Sequence, residues 1–77
     1  KMYKQIQLQH IGKRNAIPAS ELKVGDVMIC NYGDTQTFTS LEKSKTGKTI
    51  KYTVLCNGKY YDGKTTATRL FAVERIN

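Results

Sequence analysis

Thr49–Cys56 alternates apolar and polar side chains and ends on Asn57-Gly58. No other feature constrains the fold as tightly. Ile50, Tyr52 and Val54 fall on one face, and Thr49, Lys51 and Thr53 on the other. That is the period of a half-buried strand. Asn-Gly supplies the two positive-φ residues of a type I′ turn, so the chain must reverse there into a second strand. The return strand reads as Lys59–Asp62, with Gly63-Lys64 as the next turn. Thr65–Thr68 reads as a turn of 3₁₀ helix.

The same period recurs upstream. Ile6 and Leu8 alternate with Gln5, Gln7 and Gln9, which predicts a first strand over Tyr3–Ile11. Gly12-Lys13-Arg14-Asn15 reads as a basic loop. Ser20 is placed to cap a single helical turn, and Gly25-Asp26 forms a turn in which Asp26 bonds its own backbone amides. Val27–Tyr32 is a continuous apolar run that fits a central strand, closed by Gly33-Asp34. Phe38 and Leu41 are three apart, so they share a face only if a β-bulge lies between them. Lys45-Thr46-Gly47-Lys48 reads as a hairpin turn. Arg69–Ile76 is the last strand, with Leu70 and Ala72 opposite Phe71 and Val73.

These elements predict an all-β chain, a single domain over residues 1–77. Five to six short antiparallel strands at this spacing point to a small, strongly bent barrel. Ile6, Leu8, Leu22, Val24, Val27, Ile29, Ile50, Tyr52, Val54, Leu70 and Ala72 form the expected core, with Leu22 and Val24 plugging one end. At 77 residues the chain has no room for a multi-domain enzyme or a nucleotide-binding sheet-and-helix fold. Lys1-Met2 reads as a natural start at Met2 after a cloning remnant, with the reading frame nearly complete. The N-terminus has no signal-peptide pattern, and no apolar run approaches the length of a membrane span.

Ala19-Ser20-Glu21-Leu22-Lys23-Val24-Gly25-Asp26-Val27 resembles the lead-in of SH3-like barrels, including those that carry KOW-type nucleic-acid-binding motifs. In that family the Leu and Val seal the barrel base, and Gly-Asp turns into the first core strand. The resemblance implies a small SH3-like barrel here. The chain lacks the second glycine-rich turn of a KOW motif after Gly33. It also lacks the acidic loop and tyrosine motif of eukaryotic SH3 domains, so proline-rich peptide binding is not implied. The tract through Asn31-Tyr32-Gly33, with Ala67–Val73, is similar to small phage and mobile-element proteins of Gram-positive bacteria. That likeness implies a cytoplasmic protein of a bacterial host cell.

Catalysis finds little support in the sequence. His10 is the single histidine and reads as structural or solvated. Cys30 follows three apolar residues and reads as a core thiol. Glu21, Asp26, Asp34, Glu42, Asp62 and Glu74 are scattered, mostly at turns. No pair implies a shared site for acid–base work, and no two ligands have metal spacing. The expectation is therefore no enzyme, no catalytic residue, no metal and no cofactor. Cys30 and Cys56 are expected as reduced thiols in a cytosolic setting.

Charge is the remaining signal. Thirteen Lys and Arg against six Asp and Glu give +7. Lys43, Lys45, Lys48 and Lys51 lie on and around one hairpin, and Lys13 and Arg14 form a second basic segment. Lys59 stands beside Tyr60 and Tyr61, of which a strand should bury one and expose the other. Lysines neutralise phosphates and tyrosines stack on bases, so these nine residues are the candidate nucleic-acid-binding set, for DNA or RNA. A charged face that keeps strands soluble would look the same. The rival function is a phage or mobile-element module that binds a host or phage protein, with an acidic partner surface suiting the charge. Salt separates the two, because phosphate contacts weaken steeply with it.

Overall fold

The computed structural model describes residues 4–74. Seven strands follow one another: β1 (Lys4–Leu8), β2 (Gly12–Pro18), β3 (Val27–Ile29), β4 (Thr35–Lys43), β5 (Thr49–Cys56), β6 (Lys59–Thr66) and β7 (Leu70–Ala72). A 3₁₀ turn at Ala19–Glu21 is the longest helical element among the described residues. All pairings are antiparallel, in two sheets of order β1-β2-β7 and β3-β4-β5-β6. The fold is all-β, with seven strands where alternation predicts five or six. Among the described residues one bridge, Met28 to Val73, ties the sheets together. β1 and β6 each pair on one side only among the described residues.

The local signals act as expected in the four-stranded sheet. Asn57 and Gly58 have φ of 52° and 78°, as a type I′ turn requires. The turn fixes the β5–β6 register from Cys56 opposite Lys59 to Thr49 opposite Thr66. At the other end, Gly47 donates its N–H to the Ser44 carbonyl, and the Ser44 hydroxyl accepts from Thr49 N–H. The β4–β5 register slips between Phe38 and Ser40, leaving Thr39 as the extra residue. That bulge returns Phe38 and Leu41 to one face. The Thr39 hydroxyl donates to the Thr53 carbonyl at the slip.

Phe38 is fully buried between the sheets, with Val73, Ile50, Val54, Ile17 and Phe71 around it. Its ring meets Tyr52 and Phe71 edge to face, at centroid distances of 5.5 and 5.9 Å. Such pairs contribute about 0.5–1.5 kcal/mol each beyond their burial.

Several expected elements come out differently. The first strand ends at Leu8, and Tyr3 lies outside the described residues. Lys13-Arg14-Asn15 is strand, not loop, because β1 turns back at once and sets Gln7 opposite Lys13 and Gln5 opposite Asn15. Ser20 caps nothing. Pro18 stands at the cap, while the amides of Ala19 and Ser20 donate to the Arg69 and Ala67 carbonyls. Leu22 is buried, but Val24 is 64% exposed. It sits on the corner of a turn closed by Asp26 N–H on the Lys23 carbonyl and by Lys23 N–H on the Asp26 carboxylate. Asp26 thus bonds its turn as the sequence predicts.

β3 is three residues at the sheet edge, so Val27 and Ile29 are half-buried. Ile6 and Leu70 are half-buried too, being on short strands at the rim of the core. Phe71, Ala72 and Val73 are all buried, and it is Phe71 and Val73, not Leu70 and Ala72, that join the core cluster. β6 runs past Asp62 to Thr66, so Gly63-Lys64 is strand and the 3₁₀ turn expected at Thr65–Thr68 does not form. The predicted end of the last strand, Arg75–Ile76, lies outside the described residues.

Candidate functional site

Strand parity divides the four-stranded sheet into two faces. Ile50, Tyr52 and Val54 turn inward, and Lys51, Thr53 and Leu55 outward. Directly paired residues share a face. Glu42, Lys51 and Lys64 therefore stand in one outward row across β4, β5 and β6. Thr53 and Asp62 make the next row, and the Thr53 hydroxyl donates to the Asp62 carboxylate at 2.8 Å.

The hairpin end gathers the lysines. Lys43 ends β4, Lys45 and Lys48 lie in the turn, and Lys51 follows in β5, all exposed. Lys64 joins them from β6, and Glu42, Lys43, Ser44, Thr49, Lys51 and Lys64 line an open hollow of about 230 Å³. A larger groove, about 540 Å³, continues along the outer face past Thr53 and Asp62. The sequence groups Lys64 with Lys59 and Arg69 around a Gly63-Lys64 turn, away from this row. Once Gly63 is recognised as strand, counting in twos from Asn57-Gly58 finds it.

The other candidates lie apart. Lys59 and Thr66 are seven residue steps from each other along β6, roughly 23 Å at about 3.3 Å per step. Lys59, Tyr60 and Tyr61 thus occupy the opposite end from the hairpin lysines. Tyr60 and Tyr61 are 67% and 53% exposed, so neither is buried. They point to opposite faces, and both are exposed on the edge strand although Val54, opposite Tyr61, is in the core.

Lys13 and Arg14 belong to the other sheet. Lys13 is exposed; Arg14 is half-buried and donates to the Lys13 and Ile11 carbonyls at 2.9 and 3.4 Å. Its guanidinium is engaged in holding the β1–β2 turn.

His10 stacks on Tyr32 with centroids 4.4 Å apart and planes at 25°. Its N–H donates to the Asn31 carbonyl, and Gln9 N–H donates to the Asn31 side chain. These bonds dock the β1–β2 turn on the turn after β3. Cys30 and Cys56 are half-buried free thiols. Burial pushes the Cys30 thiol up from its ordinary value, and Asp34 and Cys56 push it the same way. Among the described residues no three His, Cys, Asp or Glu side chains gather as metal ligands, and no helix is long and apolar enough to cross a membrane. No family model, no curated protein and no solved structure matches this chain.

Proposed function

We propose that this chain is a non-catalytic binding module that holds the phosphate backbone of a nucleic acid on the outer face and hairpin end of its larger sheet. The observation that carries the reading is the placement of Lys43, Lys45, Lys48, Lys51 and Lys64 at one end of a rigid sheet. Lys51 and Lys64 are directly opposite each other, and like charges so placed destabilise a strand pair. A phosphate lying across them offsets that cost. Lysines are point charges on flexible stems, suited to backbone phosphates and poorly suited to bidentate reading of bases. Binding is thus expected with little sequence preference. Tyr60, farther along the same face, offers a base-stacking surface for a single strand.

The second reading is a phage or mobile-element module that binds a host or phage protein. Tyr60 and Tyr61 favour it, since they expose aromatic surface on the two faces of the β6 edge. Either role fits an SH3-like β-protein working in the cytoplasm of a bacterial host, where its two thiols stay reduced. Titrating oligonucleotides, duplex and single-stranded, against the protein between about 50 and 200 mM salt decides between them. Nucleic-acid binding falls linearly on a log–log plot, and Lys45→Glu with Lys48→Glu flattens the slope by about two. No binding of either form at about 50 mM salt, where the electrostatic term is strong, hands the role to the protein partner.

A further inference from the structure

β6 is the long unpaired edge of this molecule. Its eight residues bond β5 on one side, and no strand pairs on the other among the described residues. The two-residue turn at Asn57-Gly58 makes Cys56 and Lys59 a hydrogen-bonded pair, so bonding alternates from there. Lys59, Tyr61, Gly63 and Thr65 turn their backbone groups to β5. Tyr60, Asp62 and Lys64 turn theirs outward, as does Thr66, whose carbonyl already accepts from the Arg69 N–H and the Thr65 hydroxyl. The same parity puts the side chains of Tyr60, Asp62, Lys64 and Thr66 on the outer face.

The geometry points to a second copy of this chain as the occupant of that edge, with β6 pairing antiparallel to the β6 of its partner about a two-fold axis at Gly63. An axis at Asp62 sets that carboxylate against itself, and an axis at Lys64 does the same to the ammonium. An axis at Tyr61 leaves Lys64 outside the ladder. An axis at Gly63 maps the four outward residues onto one another, with Asp62 opposite the second copy's Lys64, Lys64 opposite its Asp62, and Tyr60 opposite its Thr66. Opposite charges meet twice, and each Asp–Lys pair exchanges two backbone hydrogen bonds.

Two details of the free surface fit this register. The Asp62 carboxylate is already oriented on the outer face by the Thr53 hydroxyl, with one oxygen engaged. Lys64 has Lys51 beside it on β5, and the second copy's Asp62 supplies the missing counter-charge on its other side. The row across the joined sheets then reads Glu42, Lys51, Lys64, Asp62, Thr53, with an acid on either side of the two lysines. Gly63 falls on the axis and has the Tyr52 ring packed over it, so the two strands approach without side chains at their closest point. Charges on an edge strand ordinarily deter strand addition. Here they deter unrelated strands and admit this one. The joined sheet carries both lysine ends on the same face, although the dimer stands without any nucleic acid.

Sedimentation equilibrium of the full chain, over a concentration series, tests the inference. The expected result is a monomer–dimer equilibrium for the wild type. Asp62→Lys and Lys64→Asp each place like charges in both pairs and weaken the dimer by about tenfold or more, whereas the Asp62→Lys/Lys64→Asp double variant restores it. Amide exchange supplies a readout that needs no variant. Tyr60, Asp62 and Lys64 amides slow as protein concentration rises, while Tyr61 and Gly63, bonded to β5, stay slow throughout. A wild type that is monomeric at every concentration overturns the proposal. So does a folded double variant that stays as weak as the singles, or exchange at Asp62 and Lys64 that ignores concentration.

Discussion

Gly63→Ala tests the inner face of β5 and β6 with a single methyl group. Gly63 is directly opposite Tyr52, and a Cβ built on it overlaps the Tyr52 ring and hydroxyl. In an open strand, replacing Gly by Ala gains about 0.5–1 kcal/mol from the lost freedom of the unfolded chain. Here the ring must move first. Overpacking of this kind costs about 1–3 kcal/mol. Tyr52 also meets Phe38 at 5.5 Å and Phe71 at 6.3 Å, both edge to face. Loss of good geometry in the two pairs adds up to about 1–3 kcal/mol. The net expectation is destabilisation by about 1–5 kcal/mol, the steric terms outweighing the entropic gain. For a domain of this size about 2 kcal/mol lowers Tm by roughly 8–16 °C. Thermal unfolding followed by circular dichroism measures it. In a Tyr52→Leu background the same substitution should cost much less, since the obstructing ring is gone. A Gly63→Ala protein as stable as the wild type, or more so, refutes the account of Tyr52 packed on a bare backbone.

Leu22→Ala should cost roughly 2–5 kcal/mol and Val24→Ala less than about 0.5, read from urea midpoints, because only Leu22 is buried. Phe38→Ala should cost about 3–5 kcal/mol and leave little folded protein at 37 °C. Thiol titration in denaturant without reductant should find Cys30 and Cys56 both reactive. In the folded protein, alkylation of Cys30 should lag a free cysteine near neutral pH, since burial, then Asp34 and Cys56, disfavour its thiolate. A raised folded value means its contribution to stability is whole below the ordinary thiol value, about 8.5, and is lost as pH climbs through the folded one. Stability should therefore fall above about pH 8.5, and Cys30→Ala should flatten that part of the profile.

The chain's own sequence determined what depends on near neighbours. Asn57-Gly58 needs only its own two residues in positive φ to reverse the chain. Alternation over Thr49–Cys56 needs only one buried face. The Phe38–Leu41 spacing demanded a bulge, and the register slip beside Thr39 supplies it. The lysines around the Lys45–Lys48 turn were legible for the same reason, since a tight turn brings them together whatever the rest of the chain does.

What only the tertiary structure decided depends on partners far along the chain. Ala16, Ile17 and Pro18 pair with Ala72, Phe71 and Leu70. Nothing near β2 announces that partner. Phe71 and Val73 face the core cluster and Ala72 is buried on the other side of β7, so alternation alone could not say which face the core would take. Gly63 looks like a turn residue until the Tyr52 ring is placed over it. With Gly63 inside the strand, Lys64 enters the lysine row, and the pair Asp62–Lys64 comes to lie symmetrically about a glycine on an open edge. Local signals set the strands and turns. Which strand covers which face, and so which charges stand together, follows from long-range pairing that hydrophobic burial selects.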